Sequence, residues 1–433
     1  MKYWNEKYEC MDREELKKLQ SERLAALVKR VYDNVPAYRK KMDDAGLKPS
    51  DIKSLDDLTK LPFTVKQDLR DNYPFGLFAV PMSEITRIHA SSGTTGKQTV
   101  VGYTKNDLEM WADCVARGLT SCGIGADSMM HISYGYGLFT GGFGVHYGAE
   151  KVGATVVPAS TGNTARQITL IQDFKPDGIC CTPSYALSLA EELHKAGLSA
   201  EDIPLKVGIF GAEPWSEAMR TEIEKELGIK ACDIYGLSEI MGPGVACECE
   251  YRKGMHVQED HFIIEVLNPE TLEPAAPGEY GEIVFTTLTK EGLPIIRYRT
   301  KDISRVNYEK CECGRTTVRL EKPTGRADDM LIIRGVNVFP SQVETVLMEL
   351  GGTAPYYMIY VDRVNNRDTM EVQVEMTENF FSDKISELNV LEGKIKAGLQ
   401  SLLGLSVKVT LVEPGSLPRF EGKSKHVVDN RKI

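Results

Sequence analysis

The stretch that decides the fold runs from Gly178 to Gly236 and reads GICCTPSYALSLAEELHKAGLSAEDIPLKVGIFGAEPWSEAMRTEIEKELGIKACDIYG. Three short apolar runs, at 178–183, 205–213 and 230–236, are separated by two segments with helical hydrophobic spacing. Strands that alternate with helices predict right-handed crossover units and a mostly parallel sheet. A further buried strand is expected at 152–160, VGATVVPAS. The sequence therefore predicts an α/β protein.

The rest of the chain changes character twice. Before the alternating region, residues 12–32 are predicted to form an amphipathic helix that Asp12 or a neighbour caps, with its apolar face made by Leu16, Leu19, Leu24, Leu27 and Val31. Short strands separated by Pro and Gly predict a β-rich subdomain at about 255–321. The last hundred residues mix strands and helices. We therefore expect a large domain, 1–327, and a small α+β domain, 328–433.

Composition excludes some classes of protein. The chain has 433 residues with 52 basic and 62 acidic side chains, a net charge of −10, which argues against binding to nucleic acid or to an anionic membrane surface. It lacks a run of eighteen apolar residues, and its start is polar and charged, so we expect a cytoplasmic protein. The ten cysteines are then expected to be reduced thiols or metal ligands.

A glycine- and hydroxyl-rich stretch, SSGTTGK, spans Ser91–Lys97. Its backbone N–H groups, hydroxyls and lysine suit a polyphosphate. It is not a Walker A loop, because Ser91 stands where the first glycine belongs and Gln98 where Ser or Thr belongs. The residues alone leave a phosphate loop and a flexible hairpin tip equally open.

Other motifs follow in a fixed order over about 330 residues: YGLSE (235–239), YRTKD (298–302), GRADDMLIIRGVNVFPSQVE (325–344) and LPRFEGK (417–423). Together with SSGTTGK they resemble the adenylate-forming superfamily of acyl-CoA synthetases, adenylation domains and luciferases. The wording of SYGYGLFTGG, IFGAEPW and YGLSEIMGPGVACEC is similar to the phenylacetate–CoA ligase family over nearly the whole chain.

The resemblance implies a large adenylate-forming domain and a small mobile C-terminal domain that swings about a hinge at Asp328. It implies an AMP-forming aryl-acid–CoA ligase. An aryl acid such as phenylacetate would attack ATP to give an acyl-adenylate and pyrophosphate, and the thiol of coenzyme A would then displace AMP. The implied cofactors are ATP/AMP, Mg²⁺ and coenzyme A.

The resemblance also assigns nucleotide-binding residues. The phosphates would be held by Ser91, Ser92, Gly93, Thr94, Thr95, Gly96 and Lys97. Tyr235 would pack against the adenine, and Glu213 and Pro214 would line its other side. The remaining implied nucleotide-binding residues are Gly211, Ala212, Asp233 and Gly236. Asp302 would accept both ribose hydroxyls, and Arg326 would contact the ribose or the α-phosphate.

Two residues are implied to be catalytic. Glu239 would hold Mg²⁺, although a helix-capping role is the alternative that its position alone allows. Lys423, which directly follows a glycine, would bridge the acid and the α-phosphate; the alternative is a solvated lysine, and Lys425 lies two residues away. The aryl-acid pocket is expected to include Tyr136, Phe139, Gly211 and Ile240.

A possible zinc site is carried by the residues themselves. Cys249, His256, Cys311 and Cys313 supply thiolates and an imidazole, a donor set that suits tetrahedral Zn²⁺ in a closed structural site. Cys247 is the reserve ligand. The alternative is a set of reduced cysteines and a surface histidine.

Three functions remain in competition. The leading one is the aryl-acid–CoA ligase. The second keeps adenylation but transfers the acyl group to a carrier-protein thiol or an amine. The third is a non-catalytic nucleotide-binding or zinc-stapled interaction protein, against which Glu239, Asp302 and Lys423 argue. The sequence does not decide which aryl acid is used, and a homodimer stays open.

Overall fold

The computed structural model describes residues 2–91, 98–327, 331–334, 336–350, 353–364, 367–377, 385–419 and 425–431. Within them the helices are α1 (Glu6–Glu9), α2 (Arg13–Asn34), α3 (Pro36–Asp44), α4 (Lys66–Asp71), α5 (Lys105–Ser121), α6 (Thr140–Lys151), α7 (Thr164–Phe174), α8 (Pro183–Lys195), α9 (Glu217–Leu227), α10 (Pro340–Leu350) and α11 (Ile385–Leu403). Short 3₁₀ helices occupy Pro49–Asp51, Leu55–Lys60, Met82–Glu84 and Ala200–Asp202. In the part of the chain that is described, no helix has the length and apolar character that crossing a membrane requires.

The strands are β1 (Arg87–Ala90), β2 (Val100–Tyr103), β3 (Met129–Ile132), β4 (Thr155–Val157), β5 (Gly178–Cys181), β6 (Val207–Gly211), β7 (Lys230–Leu237), β8 (Gly242–Cys247), β9 (Met255–Val257), β10 (Phe262–Leu267), β11 (Gly281–Thr287), β12 (Tyr298–Ser304), β13 (Val306–Asn307), β14 (Arg319–Leu320), β15 (Gly325–Arg326), β16 (Leu331–Ile333), β17 (Val336–Val338), β18 (Thr353–Val364), β19 (Arg367–Met376), β20 (Lys408–Val412) and β21 (Val427–Asp429).

A nine-stranded sheet with the order β4–β3–β5–β6–β7–β8–β9–β14–β13 forms the centre of the molecule. The first five strands are parallel, and the other four continue the sheet with antiparallel pairing. The three strands predicted between 178 and 236 are β5, β6 and β7, so the α/β class is confirmed. They lie side by side because each crossover helix returns the chain to the neighbouring position.

The prediction for 152–160 was wrong in one respect. Only Thr155–Val157 forms a strand, and it lies at the edge of the sheet, paired with β3 alone, with Thr155 exposed. The sequence analysis also missed β3, which separates β4 from β5. An edge strand is covered on fewer sides than a central one, and an apolar run does not reveal which of the two it will become.

The β-rich region predicted at 255–321 is divided between two sheets. Strands β10, β11, β12 and β15 form an antiparallel four-stranded sheet, whereas β9, β13 and β14 extend the nine-stranded sheet. The extension begins where β9 pairs with β8, with Cys247 opposite His256. The region is therefore joined to the main sheet and is not a self-contained unit.

Helix α2 confirms the predicted helix near the start of the chain. The side chain of Asp12 accepts hydrogen bonds from the backbone N–H groups of Glu14 and Glu15, which satisfies donors that lack a partner inside the helix. The face that includes Leu24 and Val28 is fully buried in the main core. Each such side chain contributes about 1.5–3 kcal/mol by burial.

The C-terminal part has its own core. Strands β20–β19–β18–β21 form one sheet, β16 and β17 pair as a hairpin, and helices α10 and α11 join them in a separate hydrophobic cluster. The predicted α+β character is thus confirmed. The predicted hinge residue Asp328 lies outside the described residues, and the boundary at 327/328 stays a prediction.

Polar contacts join the C-terminal part to the large one. The Glu344 carboxylate accepts a hydrogen bond of 2.9 Å from the backbone N–H of Ser216, and the hydroxyls of Ser188 and Tyr356 lie 2.9 Å apart. The Arg419 guanidinium lies 3.4 Å from the centroid of the Tyr356 ring.

We predict that Glu248→Gln destabilises the large part by about 3 kcal/mol, because it removes one partner of a buried ion pair. Both oxygens of Glu248, which is 2% exposed, accept hydrogen bonds from Arg220 at 2.8 and 2.9 Å. Chemical denaturation followed by tryptophan fluorescence measures the change, since the three tryptophans are Trp4, Trp111 and Trp215.

Lys29→Met is the control, because the Lys29–Asp33 pair is exposed. Its free energy of unfolding should change by less than ~0.5 kcal/mol. Equal effects of the two substitutions would contradict the importance given to the buried pair.

Candidate active site

The loops that follow β3 and β6 carry predicted site residues and lie at the carboxyl ends of parallel strands, where ligands bind in open α/β sheets. The loop after β3 reaches the end of β1, because the backbone N–H of Ala90 donates to the carbonyl of Leu138 at 2.9 Å. The loop after β6 reaches the start of α8, because the Glu213 carboxylate accepts from the backbone N–H of Ser184 at 2.7 Å. Each of these loops is thus tied to another segment of the chain.

The predicted phosphate loop connects the antiparallel strands β1 and β2. Ser91 closes the base of this connection. Its N–H donates to the carbonyl of Thr99 at 3.0 Å, and its hydroxyl accepts from the N–H of Thr99 at 3.1 Å. The other predicted loop residues, Ser92, Gly93, Thr94, Thr95, Gly96 and Lys97, lie outside the described residues.

The predicted ribose-binding residues are in direct contact. Asp302 on β12 lies opposite Arg326 on β15, with 3.4 Å between a guanidinium nitrogen and Oδ1. The hydroxyl of Tyr235 donates to Oδ2 of Asp302 at 2.5 Å. Burial, and next the charge of Asp302, raise the pKa of Tyr235 well above its usual value, so this hydroxyl keeps its proton at neutral pH. The Tyr235 ring stacks on Phe285 at 6.0 Å between centroids.

The end of β6 carries four predicted nucleotide-site residues. A Cβ at Gly211 would lie 2.2 Å from the carbonyl oxygen of Ile234 on β7, so only glycine fits there. Ala212 is exposed and has a φ of +73°, a conformation that strains a residue with a side chain. Glu213 anchors the start of α8, and Pro214 is exposed.

The end of β7 carries two more. Asp233 is buried, its N–H donates to Glu248 at 2.8 Å, and burial followed by the charge of Glu248 raises its pKa to about 7. A Cβ at Gly236 would lie 1.8 Å from the carbonyl oxygen of Gly242, so glycine is required where β7 and β8 meet.

Glu239 lies in the turn between β7 and β8 and is 7% exposed. Burial and then the carboxylate of Glu239 raise the pKa of Tyr298 well above its usual value, which shows that this carboxylate faces the YRTKD segment. A buried carboxylate is a hard oxygen donor of the kind that Mg²⁺ prefers, so the residue fits the predicted role.

The predicted acid-pocket residues differ in burial. Phe139 is 52% exposed, whereas Ile240 is fully buried. The Tyr136 hydroxyl lies 3.2 Å from Nδ1 of His146. The segments of Phe139 and Ile240 are linked through Thr140 and Ser238, whose hydroxyls lie 3.1 Å apart. The pocket itself stays a prediction.

The remaining predicted catalytic residue, Lys423, lies outside the described residues. Arg419, the last described residue before it, donates from its guanidinium to both oxygens of Glu375 at 2.8 and 2.6 Å.

The four predicted zinc ligands form one buried cluster. The ligand atoms of Cys249, His256, Cys311 and Cys313 all lie within 4.8 Å of one another. The Sγ atoms of Cys249 and Cys311 are 3.8 Å apart, the edge of roughly 3.8 Å that a tetrahedron with Zn–S bonds of about 2.3 Å requires. Sγ of Cys313 lies 3.3 Å from Nε2 of His256, close to the roughly 3.6 Å expected.

The surroundings of the cluster also suit a metal. The Thr317 hydroxyl lies 3.0 Å from Nδ1 of His256 and orients Nε2 toward the thiols. A hydrogen bond from Cys249 and the neighbouring His256 lower the pKa of Cys313 to about 2. The reserve ligand Cys247 is not in the cluster: it faces α5, where its Sγ lies 3.9 Å from that of Cys122.

The sequence analysis missed Lys290 and Tyr103. Lys290 is 1% exposed, and its ammonium donates to the carbonyl of Ile240 at 3.0 Å. The hydroxyl of Tyr103 donates to the carbonyl of Met241 at 2.6 Å. No local pattern reveals such a lysine, because lysines are almost never fully buried.

The family of the chain follows from its match to known proteins. Residues 13–288 match the model described as AMP-binding enzyme, and residues 335–431 match the AMP-binding enzyme C-terminal domain. The chain belongs to the AMP-binding enzyme family. Three similar relatives of this family are the phenylacetate-coenzyme A ligases of Thermus thermophilus (53% identical, covering 98% of each chain), Escherichia coli (52%, covering 97% of this chain and 96% of that one) and Pseudomonas putida (50%, 96% and 94%).

Solved structures of the AMP-binding enzyme family identify the arrangement of the two parts. A 2-hydroxyisobutyryl-CoA ligase in its postadenylation state, in complex with 2-HIB-AMP, is 30% identical and covers 100% of this chain and 93% of that one, with a TM-score of 0.95. The same ligase in its thioesterification state, with 2-HIB-AMP and CoA, gives a TM-score of 0.75 over the same shares. The arrangement of the two parts is therefore more similar to that ligase's postadenylation structure than to its thioesterification structure.

We predict that Tyr235→Phe raises the KM for ATP about tenfold, since a hydrogen bond to a charged group is worth about 1.5–3 kcal/mol. The substitution removes one of the hydrogen bonds that orient Asp302. Steady-state kinetics with varied ATP measure the effect. Tyr280→Phe is a matched control, because Tyr280 is exposed and its hydroxyl donates to Glu321 at 3.2 Å on the surface. A similar KM for both variants would contradict the orienting role.

Proposed function

We propose that the protein is an AMP-forming ligase that joins phenylacetate, or a close aryl acid, to coenzyme A. In the first half-reaction a carboxylate oxygen bonds to the α-phosphorus of ATP and pyrophosphate leaves. In the second, the thiol sulfur bonds to the acyl carbon, AMP leaves and the thiol proton is released. The observation that carries the proposal is the 50–53% identity, over nearly the full length, to four phenylacetate-coenzyme A ligases.

The contacts around Asp302 suit the ribose of ATP. Tyr235 and Arg326 both contact this carboxylate. The two oxygens of a carboxylate have a spacing that suits both hydroxyls of a vicinal diol. The fixed donors hold the carboxylate in place before the nucleotide arrives, which lowers the entropy lost on binding.

We assign the charge-stabilising roles to three groups. Ser91–Lys97 would hold the β- and γ-phosphates, and Lys423 would bridge the carboxylate and the α-phosphate. Glu239 would hold Mg²⁺, which neutralises charge on the phosphates when bound. A reaction between an anion and a polyanion depends on such groups more than on acid–base catalysis.

We further propose that the C-terminal part swings about Asp328 between the two half-reactions. The different TM-scores against the two states of one ligase support such a change. The polar contacts of Ser188 and Ser216 with the C-terminal part suit an interface that opens and closes, because polar interfaces between domains favour relative motion.

The test is acid-dependent release of AMP from ATP, with and without CoA, over a panel of aryl and alkyl acids. We expect turnover that needs both phenylacetate and CoA, with alkyl acids at least tenfold slower. Acid-dependent exchange of pyrophosphate into ATP, with no dependence on CoA, would keep adenylation and move the acyl group to another acceptor. Silence with every acid would overturn the proposal.

Lys423→Ala sharpens this test. Loss of the bridging charge should slow adenylation by roughly two to three decades, while acyl transfer from supplied phenylacetyl-adenylate to CoA is retained. Lys425→Ala is the matched control and should behave like the wild type. Equal losses in both half-reactions would contradict the role assigned to Lys423.

We also propose that Cys249, His256, Cys311 and Cys313 bind a structural Zn²⁺. Their four ligand atoms leave no open coordination position, so the metal would stabilise the fold and take no part in the reaction. The neighbouring loop holds the start of the chain: the Tyr3 hydroxyl donates to the carbonyl of Cys313 at 2.8 Å.

Metal analysis of the purified protein should give about one zinc per chain, and Cys313→Ser should lose it and melt at a lower temperature. Cobalt substitution should give the d–d absorption of a tetrahedral thiolate site in the wild type and not in Cys313→Ser. Cys247→Ser is the control and should keep its zinc. Zinc retained by Cys313→Ser, or lost from Cys247→Ser, would contradict the ligand set.

A further inference from the structure

A buried cation lies directly beneath the turn that carries Glu239. Lys290 belongs to the loop between β11 and β12 and is 1% exposed. Its Nζ lies 3.0 Å from the carbonyl oxygen of Ile240 and 3.5 Å from that of Glu239. It also lies 4.7 Å from the centroid of the Tyr103 ring, a cation–π contact. The ammonium thus faces the backbone of the turn.

Tyr103 holds the other end of the same turn. Its hydroxyl donates to the carbonyl of Met241 at 2.6 Å. The turn is closed within itself by hydrogen bonds from the N–H groups of Ile240 and Met241 to the carbonyl of Leu237, at 3.1 and 3.0 Å. Lys290 therefore contacts the carbonyls of residues 239 and 240, and Tyr103 contacts the next carbonyl of the turn, that of residue 241.

The loop that carries Lys290 is itself fixed to α5. The Asp107 carboxylate accepts from the N–H of Glu291 at 2.7 Å and from that of Gly292 at 2.8 Å. Asp107 also accepts from the N–H of Thr104, at 3.0 Å, at the start of α5. The base of the loop is thereby held, and a rigid path runs from α5 through Lys290 to the turn.

Burying an ammonium is costly, and a methionine would fill a similar volume without that cost. The acidic groups that act on Lys290 electrostatically are Asp107 and Glu239, and burial lowers its pKa to about 8. The charge is thus retained in an unfavourable place, where its N–H donors meet the backbone of Glu239 and Ile240. That placement suits precise positioning better than stability.

We propose that Lys290 is a positioning residue that sets the place of the Glu239 carboxylate and the Ile240 side chain. The inference rests on the proposed function in assigning Mg²⁺ to Glu239 and the acid to the neighbourhood of Ile240. Lys290 acts through the carbonyls of the turn, which its ammonium contacts.

The experiment compares the binding of ATP by calorimetry with Mg²⁺ and with EDTA, in the full chain and in Lys290→Met. We expect Mg²⁺ to tighten ATP binding in the wild type and at least a tenfold loss of that gain in Lys290→Met, with ATP binding in EDTA changed less than threefold. The KM for phenylacetate should also rise at least fivefold. A lysine that only supports the fold would lower the melting temperature and leave the effect of Mg²⁺ unchanged, which would overturn the proposal.

Two further variants keep the test decisive. If Lys290→Met does not fold, Tyr103→Phe takes its place, because it removes the hydroxyl that donates to the Met241 carbonyl of the same turn. It should reduce the Mg²⁺-dependent gain in ATP affinity about threefold. An unchanged gain would overturn the proposal. Thr289→Val is the control. Thr289 lies on the same loop as Lys290, and the substitution removes the 2.7 Å contact of its hydroxyl with Nδ1 of His261. This variant should leave ATP binding unaltered.

The calorimetric readout separates this inference from the proposed function, because it needs no acid. A wild type that binds MgATP but turns over no aryl acid would refute the proposed function and leave the test of Lys290 intact. A wild type whose ATP binding ignores Mg²⁺ would overturn the positioning role.

Discussion

The reversal of the chain between β7 and β8 is the constraint on which the candidate site depends. Here the nine-stranded sheet changes from parallel to antiparallel pairing. The two strands approach so closely that a Cβ at Gly236 would lie 1.8 Å from the carbonyl oxygen of Gly242. The last residues of β7 include Tyr235, and the turn that follows carries Glu239. One tight reversal therefore sets the place of both the proposed nucleotide contact and the candidate metal ligand, and any side chain at position 236 would displace both.

Charges in the large part fall into two kinds. Arg220 and Glu248 satisfy each other with two hydrogen bonds beneath β7 and leave little capacity for a ligand. Asp302 is held by Tyr235 and Arg326 at the candidate site. A buried ion pair of the first kind rigidifies the structure, whereas the contacts of Asp302 fix a carboxylate in the position proposed for nucleotide binding.

Polar side chains make several of the contacts between the two parts. Ser188 meets Tyr356, Ser216 meets Glu344, and Arg419 stacks on Tyr356 while it is paired with Glu375. Burial raises the pKa of Glu344 to about 7, because its position in the interface disfavours the charged form of the carboxylate. Interfaces of this kind release at modest cost, which suits an enzyme family whose members are solved in more than one arrangement.

The sequence by itself determined the α/β class, the strands β5, β6 and β7, the helix that Asp12 caps and the α+β character of the C-terminal part. These features rest on local signals: periodic apolar residues, caps and turn residues within a few positions of one another. The sequence also identified Cys249, His256, Cys311 and Cys313 as one candidate ligand set, because few other residue types bind zinc. Only the tertiary structure decided that β4 lies at an edge, that β9 and β14 extend the main sheet, and that Cys247 faces α5. It alone buried Lys290 beneath the turn of Glu239. The choice of strand partner and the depth of burial depend on segments that are far apart in the chain. A single buried lysine belongs to no periodic pattern from which the sequence could predict its burial.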